Sequence, residues 1–262
     1  MVIEALGELV DETNVNVNDE GVNLQSLDSS HVALVHLKSN AGSFDEFRLD
    51  RKLCLGIKLS HLNQVLKCAS KDDVITLKTQ DDEPDDITLL FENPNLTRIS
   101  NFQLKLMDID AEAIEIPPLT YDAVIQLTSA SFRRICNELS TISDTVEVIC
   151  NKEGVQFKAT GQSSSGAITL KQSDSVDDDD ENDDNVQIAA TDEVHLSFAL
   201  RYLKQFSKAA PLSKYVTIRL CLQHPVQIEY KIGEKGDVGS LVYYLAPKIG
   251  EDEDEDDEGA ME

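Results

Sequence analysis

A chain of 262 residues, 41% of them hydrophobic, can bury two ordinary cores, and 23 Lys and Arg against 49 Asp and Glu give it a net charge of −26. That sign, taken alone, argues against a nucleic-acid partner, because phosphate binding needs a positive surface. Five scattered cysteines without CxxC spacing argue against a disulfide framework and predict buried free thiols in a reducing compartment.

In chain order, the helical stretch EALGELVDE precedes the strand-like TNVNVNDEG. Residues 21 to 37, GVNLQSLDSSHVALVHL, alternate apolar and polar in two runs joined by Leu27-Asp28-Ser29-Ser30, which reads as a β-hairpin. FDEFRL (44 to 49) and KLCLGIKL (52 to 59) read as further strands, the latter with a break at Gly56. Ser60 is placed to cap a helix over SHLNQVLKCAS (60 to 70), and DVITLKT, ITLLFEN (87 to 93) and ISNFQLKLM (99 to 107) follow as strands. Residues 108 to 121, DIDAEAIEIPPLTY, are acidic and broken by Pro117 and Pro118, the pattern of an extended connector carrying Ile114 and Ile116. Then come a strand YDAVIQL (121 to 127), an amphipathic helix SASFRRICNELSTIS (129 to 143), a strand TVEVIC, a helix SFALRYLKQFSKAAP (197 to 211), and strands YVTIRL, VQIEYKI and SLVYYLAPKI. No apolar run approaches the roughly 18 residues a membrane helix needs, so a soluble, intracellular chain is expected.

The chain is built twice. GVQFKATGQSSSGAITL (154 to 170) aligns without a gap on residues 21 to 37, through Gly21/Gly154, Leu24/Phe157, Ser30/Ser163 and Leu37/Leu170. Self-similarity on this scale predicts two similar domains, 1–107 and 121–250, with a connector at 108–120 and an acidic, disordered tail at 251–262. The second copy starts with a strand before its helix and the first copy does not, so by the repeat alone one N-terminal strand and part of a helix are missing.

Charge is unevenly placed: SDSVDDDDENDD (173 to 184) holds eight acids and EDEDEDDE (251 to 258) eight more, and setting these sixteen aside leaves −10. Positive charge instead gathers on helices. Arg201, Lys204 and Lys208 recur at helical spacing, Arg133 and Arg134 lie opposite Phe132, Ile135, Cys136 and Leu139, and Lys67 stands near Lys71. One basic residue marks a solvated face; the same pattern on three helices of an acidic chain points to a surface facing phosphate. No HExxH, Walker loop, GxGxxG or GxSxG occurs, so neither an enzyme, a metal nor a cofactor is expected.

The stretch GVNLQSLDSSHVALVHL, the run RLDRKLCLGIKLSHLNQVLKCA, KLMDID and the terminal YYLAPKI together resemble the proliferating cell nuclear antigen family, the eukaryotic sliding clamps, from Glu4 to Ile249. The resemblance implies an α+β DNA clamp fold: two similar domains per subunit in a homotrimeric ring, sheets outside and helices lining a central channel around duplex DNA. It implies a nuclear, non-catalytic processivity factor, loaded by a clamp loader, that holds DNA polymerase and docks peptide-motif replication and repair proteins. By matching positions, Lys67, Arg134, Arg201 and Lys208 would face the channel, with Arg98 and Lys204 as additions. The partner-peptide pocket would use Leu27, His31, Val32, Leu34, Ile114, Ile116, Pro117, Pro225, Tyr244, Ala246, Pro247 and Ile249. Lys152 matches a position of ubiquitin-type modification. Gly7 and Gln64 depart from the family, which usually has channel lysines there. Two other readings remain open on the sequence: an acidic module binding histones or other basic proteins, from the two acid runs, and a divergent checkpoint-clamp subunit of a mixed ring.

Overall fold

The computed structural model describes residues 1–79, 84–93, 95, 98–110, 114–117, 119–172, 185–222, 224–233 and 236–248. The acid run 173–184, the tail, Pro118 and Ile249 therefore lie outside the described residues. The first half comprises α1 (Val2–Gly7), β1 (Glu12–Asn18), β2 (Gly21–Leu27), β3 (Ala33–Asn40), β4 (Leu53–Lys58), α2 (Leu59–Leu66), β5 (Val74–Lys78), β6 (Asp86–Glu92) and β7 (Ile99–Lys105). The second comprises β8 (Ala123–Thr128), α3 (Ser129–Leu139), β9 (Thr145–Cys150), β10 (Gly154–Thr160), β11 (Ser165–Lys171), β12 (Gln187–Ala190), β13 (Val194–Ala199), α4 (Leu200–Phe206), a 3-10 segment Ser207–Leu212, β14 (Tyr215–Leu220), β15 (Val226–Ile232) and β16 (Gly239–Leu245). Among the described residues, no helix is long and apolar enough to cross a membrane.

The fold divides into two compact units. The first draws on residues from Met1 to the connector, Pro211–Ser213 and Glu229–Tyr243; the second on Leu119–Ala210, Lys214–Ile228 and residues from Tyr244 onward.

In the first unit β2 lies between β1 and β3, with Leu24 opposite Val15 on one side and Leu37 on the other, and β4 pairs the far edge of β1. A separate antiparallel sheet runs β5-β6-β7. Period-two alternation sends Ile87, Leu89 and Phe91 of β6 inward, where they pack with Leu55, Ile57, Leu62 and Leu104. Phe91 meets Phe102 with ring centroids 5.3 Å apart, and the Tyr243 hydroxyl donates to the Ala5 carbonyl at 3.3 Å, holding α1. Gly56 does not break β4. Met107 passes so close that a Cβ at Gly56 would lie 2.0 Å from its carbonyl oxygen, and the Met107 amide donates to the Gly56 carbonyl at 2.9 Å.

In the second unit β9 and β10 form the middle of the sheet β11-β10-β9-β13, and β8 pairs β12 on one side and β14 on the other. The side chain of Thr128 accepts from the Ser131 amide at 3.2 Å, capping α3, a contact worth about 1 kcal/mol. Phe132, Ile135, Cys136 and Leu139 then fall on one buried face of that helix.

Ser60 caps no helix, because α2 begins at Leu59 with Lys58 as its N-cap and no side-chain cap bond, and further expectations change as well. FDEFRL forms no strand: the chain bends at residues 44 to 46, where the tilted rings of Phe44 and Phe47, three apart, have centroids 5.6 Å apart, and Arg48 pairs Asp50 at 3.2 Å. The helix expected over 197 to 211 begins only at Leu200, because Ser197–Ala199 continue β13 against β9, with Phe198 opposite Val146. The first hairpin turn spans residues 28 to 32, with Leu27 still paired to Leu34. All five cysteines are free, but only Cys136 and Cys150 are buried; Cys54 and Cys68 are exposed.

Candidate functional site

The helices of the second unit carry a polarised surface. Inward, α3 buries its apolar face and α4 buries Leu200, Tyr202, Leu203 and Phe206. Outward, Arg133, Arg134, Arg201, Lys204 and Lys208 are all exposed, with Glu138 the one exposed carboxylate on these segments. The two helices are neighbours, and Lys204 Nζ donates to Ser140 Oγ at the end of α3 at 3.4 Å. Arg201 stacks over the Tyr202 ring, 4.7 Å from its centroid, and donates to the Tyr202 hydroxyl at 3.1 Å. Lys208 lies on the 3-10 segment rather than on α4, so the three basic residues do not share one α-helical repeat, though all three reach water. Five cations against one carboxylate, in a chain of net −26, is a local inversion of sign that suits a polyanion.

The first unit carries less positive charge on its helices. Lys67, at the end of α2, is exposed and sits 3.9 Å from Glu4 of α1, which partly neutralises it. Gln64 is exposed, and a Cβ at Gly7 would meet nothing within 4 Å, so both are open, uncharged positions. Arg98 is not on a helix. It precedes β7 and donates through Nε to Ser100 Oγ at 3.1 Å.

The residues expected to dock partners fall in both units. The first holds Leu27 at the end of β2, exposed His31 and Val32 in the turn, buried Leu34, half-buried Ile114 and Ile116, and exposed Pro117. Within it the connector is tied down by two polar side chains: Asn14 Nδ2 donates to the Ile109 carbonyl at 2.9 Å and Gln25 Nε2 to the Ile114 carbonyl at 2.7 Å. The Gln25 bond brings Ile114 onto the hairpin that bears Leu27. The second unit holds exposed Pro225 and half-buried Tyr244, Ala246 and Pro247. There the Lys248 amide donates to the Ser197 carbonyl at 2.8 Å and Lys248 Nζ to Thr145 Oγ1 at 2.5 Å, fixing the chain after β16 against β13 and β9. Lys152 is exposed at the tip of the β9–β10 hairpin, whose turn is closed by Asn151 Oδ1 accepting from Glu153 and Gly154.

Sequence reasoning missed Asn14, Gln25 and Lys248. Asn14 and Gln25 are polar residues on strands, a pattern that signals solvent rather than a connector's carbonyl. Lys248 sits beside two apolar positions that drew the attention. Among the described residues no cluster of His, Cys, Asp and Glu could hold a metal ion.

Two family models cover the chain almost end to end. Residues 1–114 match the N-terminal domain of proliferating cell nuclear antigen, and residues 115–248 match its C-terminal domain. With two such domains and a sheet-rich architecture in which helices are few, the chain has the DNA clamp fold and belongs to the proliferating cell nuclear antigen family of DNA sliding clamps.

Proposed function

We propose that this chain acts as a sliding clamp: three copies close into a ring around duplex DNA, hold a replicative polymerase to its template, and dock clamp loader, replication and repair proteins in the nucleus. It catalyses nothing itself. The domains are 1–107 and 121–250, joined by the connector 108–120. The observation that carries the reading is the exposed basic surface of α3, α4 and the 3-10 segment in an otherwise acidic, family-matched chain. Lys and Arg contacts to phosphate carry no base information and are labile to salt, which is what a moving ring needs. Lys67, Arg98, Arg134, Arg201, Lys204 and Lys208 are the residues proposed to face DNA.

Ring closure needs complementary edges on each copy. Among the described residues β5 and β7 in the first unit, and β11 and β13 in the second, are each outermost strands with one unpaired side. The docking surface is proposed at Leu27, His31, Val32, Leu34, Ile114, Ile116, Pro117, Pro225, Tyr244, Ala246, Pro247 and Ile249, for short aromatic-bearing peptides, and Lys152 as a site for ubiquitin-type modification.

The test is topological. Loaded onto a nicked circular duplex, the clamp should stay bound through a high-salt wash and be lost when the circle is cut; equal loss from both forms overturns the reading. Light scattering on the free protein should give three times the chain mass. Replacing Arg201, Lys204 and Lys208 with Ala should flatten the dependence of log affinity on log salt by about 0.9 for each phosphate no longer neutralised.

A further inference from the structure

We propose that Asp28 is a positioning residue for partner docking: it presets the exposed tip of the β2–β3 hairpin in the shape a partner meets. The inference rests on the docking reading above.

Four consecutive amides converge on this one residue. The carboxylate accepts from Ser30 through Oδ2 at 3.1 Å and from Val32 and Ala33 through Oδ1 at 2.8 Å each, and the Asp28 carbonyl accepts from His31 at 3.0 Å. The Asp28 amide closes the ring by donating to the Ala33 carbonyl at 2.9 Å. Asp28 is only 5% exposed, whereas residues 29 to 32 above it are exposed, Val32 to 38%. A carboxylate so enclosed is satisfied by these donors and draws the backbone around itself. The tip it builds is not a relaxed one: His31 has φ 56°, the left-handed region that residues other than glycine avoid.

The duplicated hairpin is an internal control. Gly161 stands where the gapless alignment puts Asp28, and there the turn closes with Thr160 opposite Ser165 and the Gly161 amide on the Ser164 carbonyl at 2.9 Å. In the first copy Leu27 pairs Leu34, two positions farther along the alignment. The fold thus closes this hairpin without a carboxylate, and the longer, strained, caged tip is an addition of the first unit. That tip stands at the end of the hairpin that Gln25 ties to Ile114. Holding it in one shape removes the ordering cost a partner would otherwise meet.

The experiment uses the full chain and a short fluorescein-labelled, aromatic-bearing peptide, read by anisotropy well below the unfolding temperature. The unaltered protein should bind, and Ile114→Ala should weaken binding. Asp28→Ala should weaken it about tenfold, since only a fraction of tips would be competent at any moment. Asp28→Asn, which keeps Oδ1 for Val32 and Ala33, should restore affinity to within about threefold of the unaltered chain while exchange of the Ser30 amide quickens. Hydrogen exchange at Val32 and Ala33 should quicken in free Asp28→Ala and be slowed again by peptide, while the loss of affinity and its rescue in Asp28→Asn are the readouts a purely structural role would not move. A lowered melting temperature with unchanged peptide affinity, alongside weakened Ile114→Ala, overturns the proposal and leaves the docking reading standing. Should Asp28→Ala fail to fold, Asp28→Asn decides: an affinity and Ser30 exchange rate equal to the unaltered chain's overturn it. No binding by the unaltered chain overturns the docking reading and the proposal together.

Discussion

β5 and β14 are the same strand of the repeat, each the first after the second helix of its copy, and they fare differently. In β14, Val216, Ile218 and Leu220 are at most 3% exposed. In β5, Val74, Ile75 and Leu77 are 49%, 41% and 57% exposed. The sequences YVTIRL and VITLK are equally strand-like; their neighbours are not. β8 pairs all along β14 and sets Leu127, Ile125 and Ala123 opposite Val216, Ile218 and Leu220. Among the described residues β5 pairs with β6 alone, so Ile75 and Leu77 have Phe91 and Leu89 on one side and no strand on the other. The helices differ in the same sense, with six residues in α1 and eleven in α3. A strand's pattern chooses which face is apolar; its position in the sheet decides whether that face is dry.

The largest expected effect tests this directly. Ile218→Ala should cost about 2–5 kcal/mol, and Ile75→Ala under about 1 kcal/mol, read from urea midpoints at constant slope. Equal costs would mean that the outer edge of β5 is covered in solution. Next, amides of β14 should exchange slower than the outward amides of β5 by on the order of a hundredfold, because a paired interior strand opens only with its unit. Uniform protection would break the comparison.

A third measurement extends it to the thiols. Cys54 and Cys68 are exposed in the first unit, whereas burial in the second pushes the Cys150 thiol up to about 11 and raises Cys136 further still. Iodoacetamide at neutral pH should label the first pair and spare the second in the folded protein, because the thiolate is the reactive form; mass spectrometry after digestion reads the sites. The smallest effect is one of pH. Burial, with Lys38 adding to it, holds His36 of β3 below its ordinary value, and its Nε2 lies 3.0 Å from Asn23 Oδ1. A histidine whose pKa is depressed by folding makes no difference above its unfolded pKa of about 6.5. As pH falls below that value the unfolded chain takes up the proton first, and stability is lost until the folded pKa is reached. His36→Asn should make the melting temperature less sensitive between pH 7 and 5.

Much of the fold was legible. Among the described residues, alternation located most of the strands or their cores, β6 and β9 through β11 among them but not β13, and helical spacing located α2 and α3, because these signals are local. FDEFRL misled because Phe47 and Leu49, two apart, look like a strand's apolar face, whereas Phe47 instead meets Phe44 across a bend. SFALRYLKQF misled because Phe198 and Leu200 satisfy a strand's period while Leu200, Leu203 and Phe206 satisfy a helix's, and only pairing with β9 ends the strand at Ala199. For the candidate site, the cations were visible as charges, but the exposure of Arg133, Arg134, Arg201, Lys204 and Lys208 together depends on α3 and α4 packing side by side.

By itself the sequence determined the duplication, the faces of the strands, the sign reversal between helices and acid runs, and membership of the clamp family. Only the tertiary structure decided that β14 is dry and β5 wet, that Gln25 and Asn14 hold the connector, and that four amides close on Asp28. The reason is one of range. Periodicity and charge are written in neighbouring residues, whereas burial and hydrogen-bond partners are set by chain segments far away in sequence, such as Gln25 and Ile114, 89 residues apart.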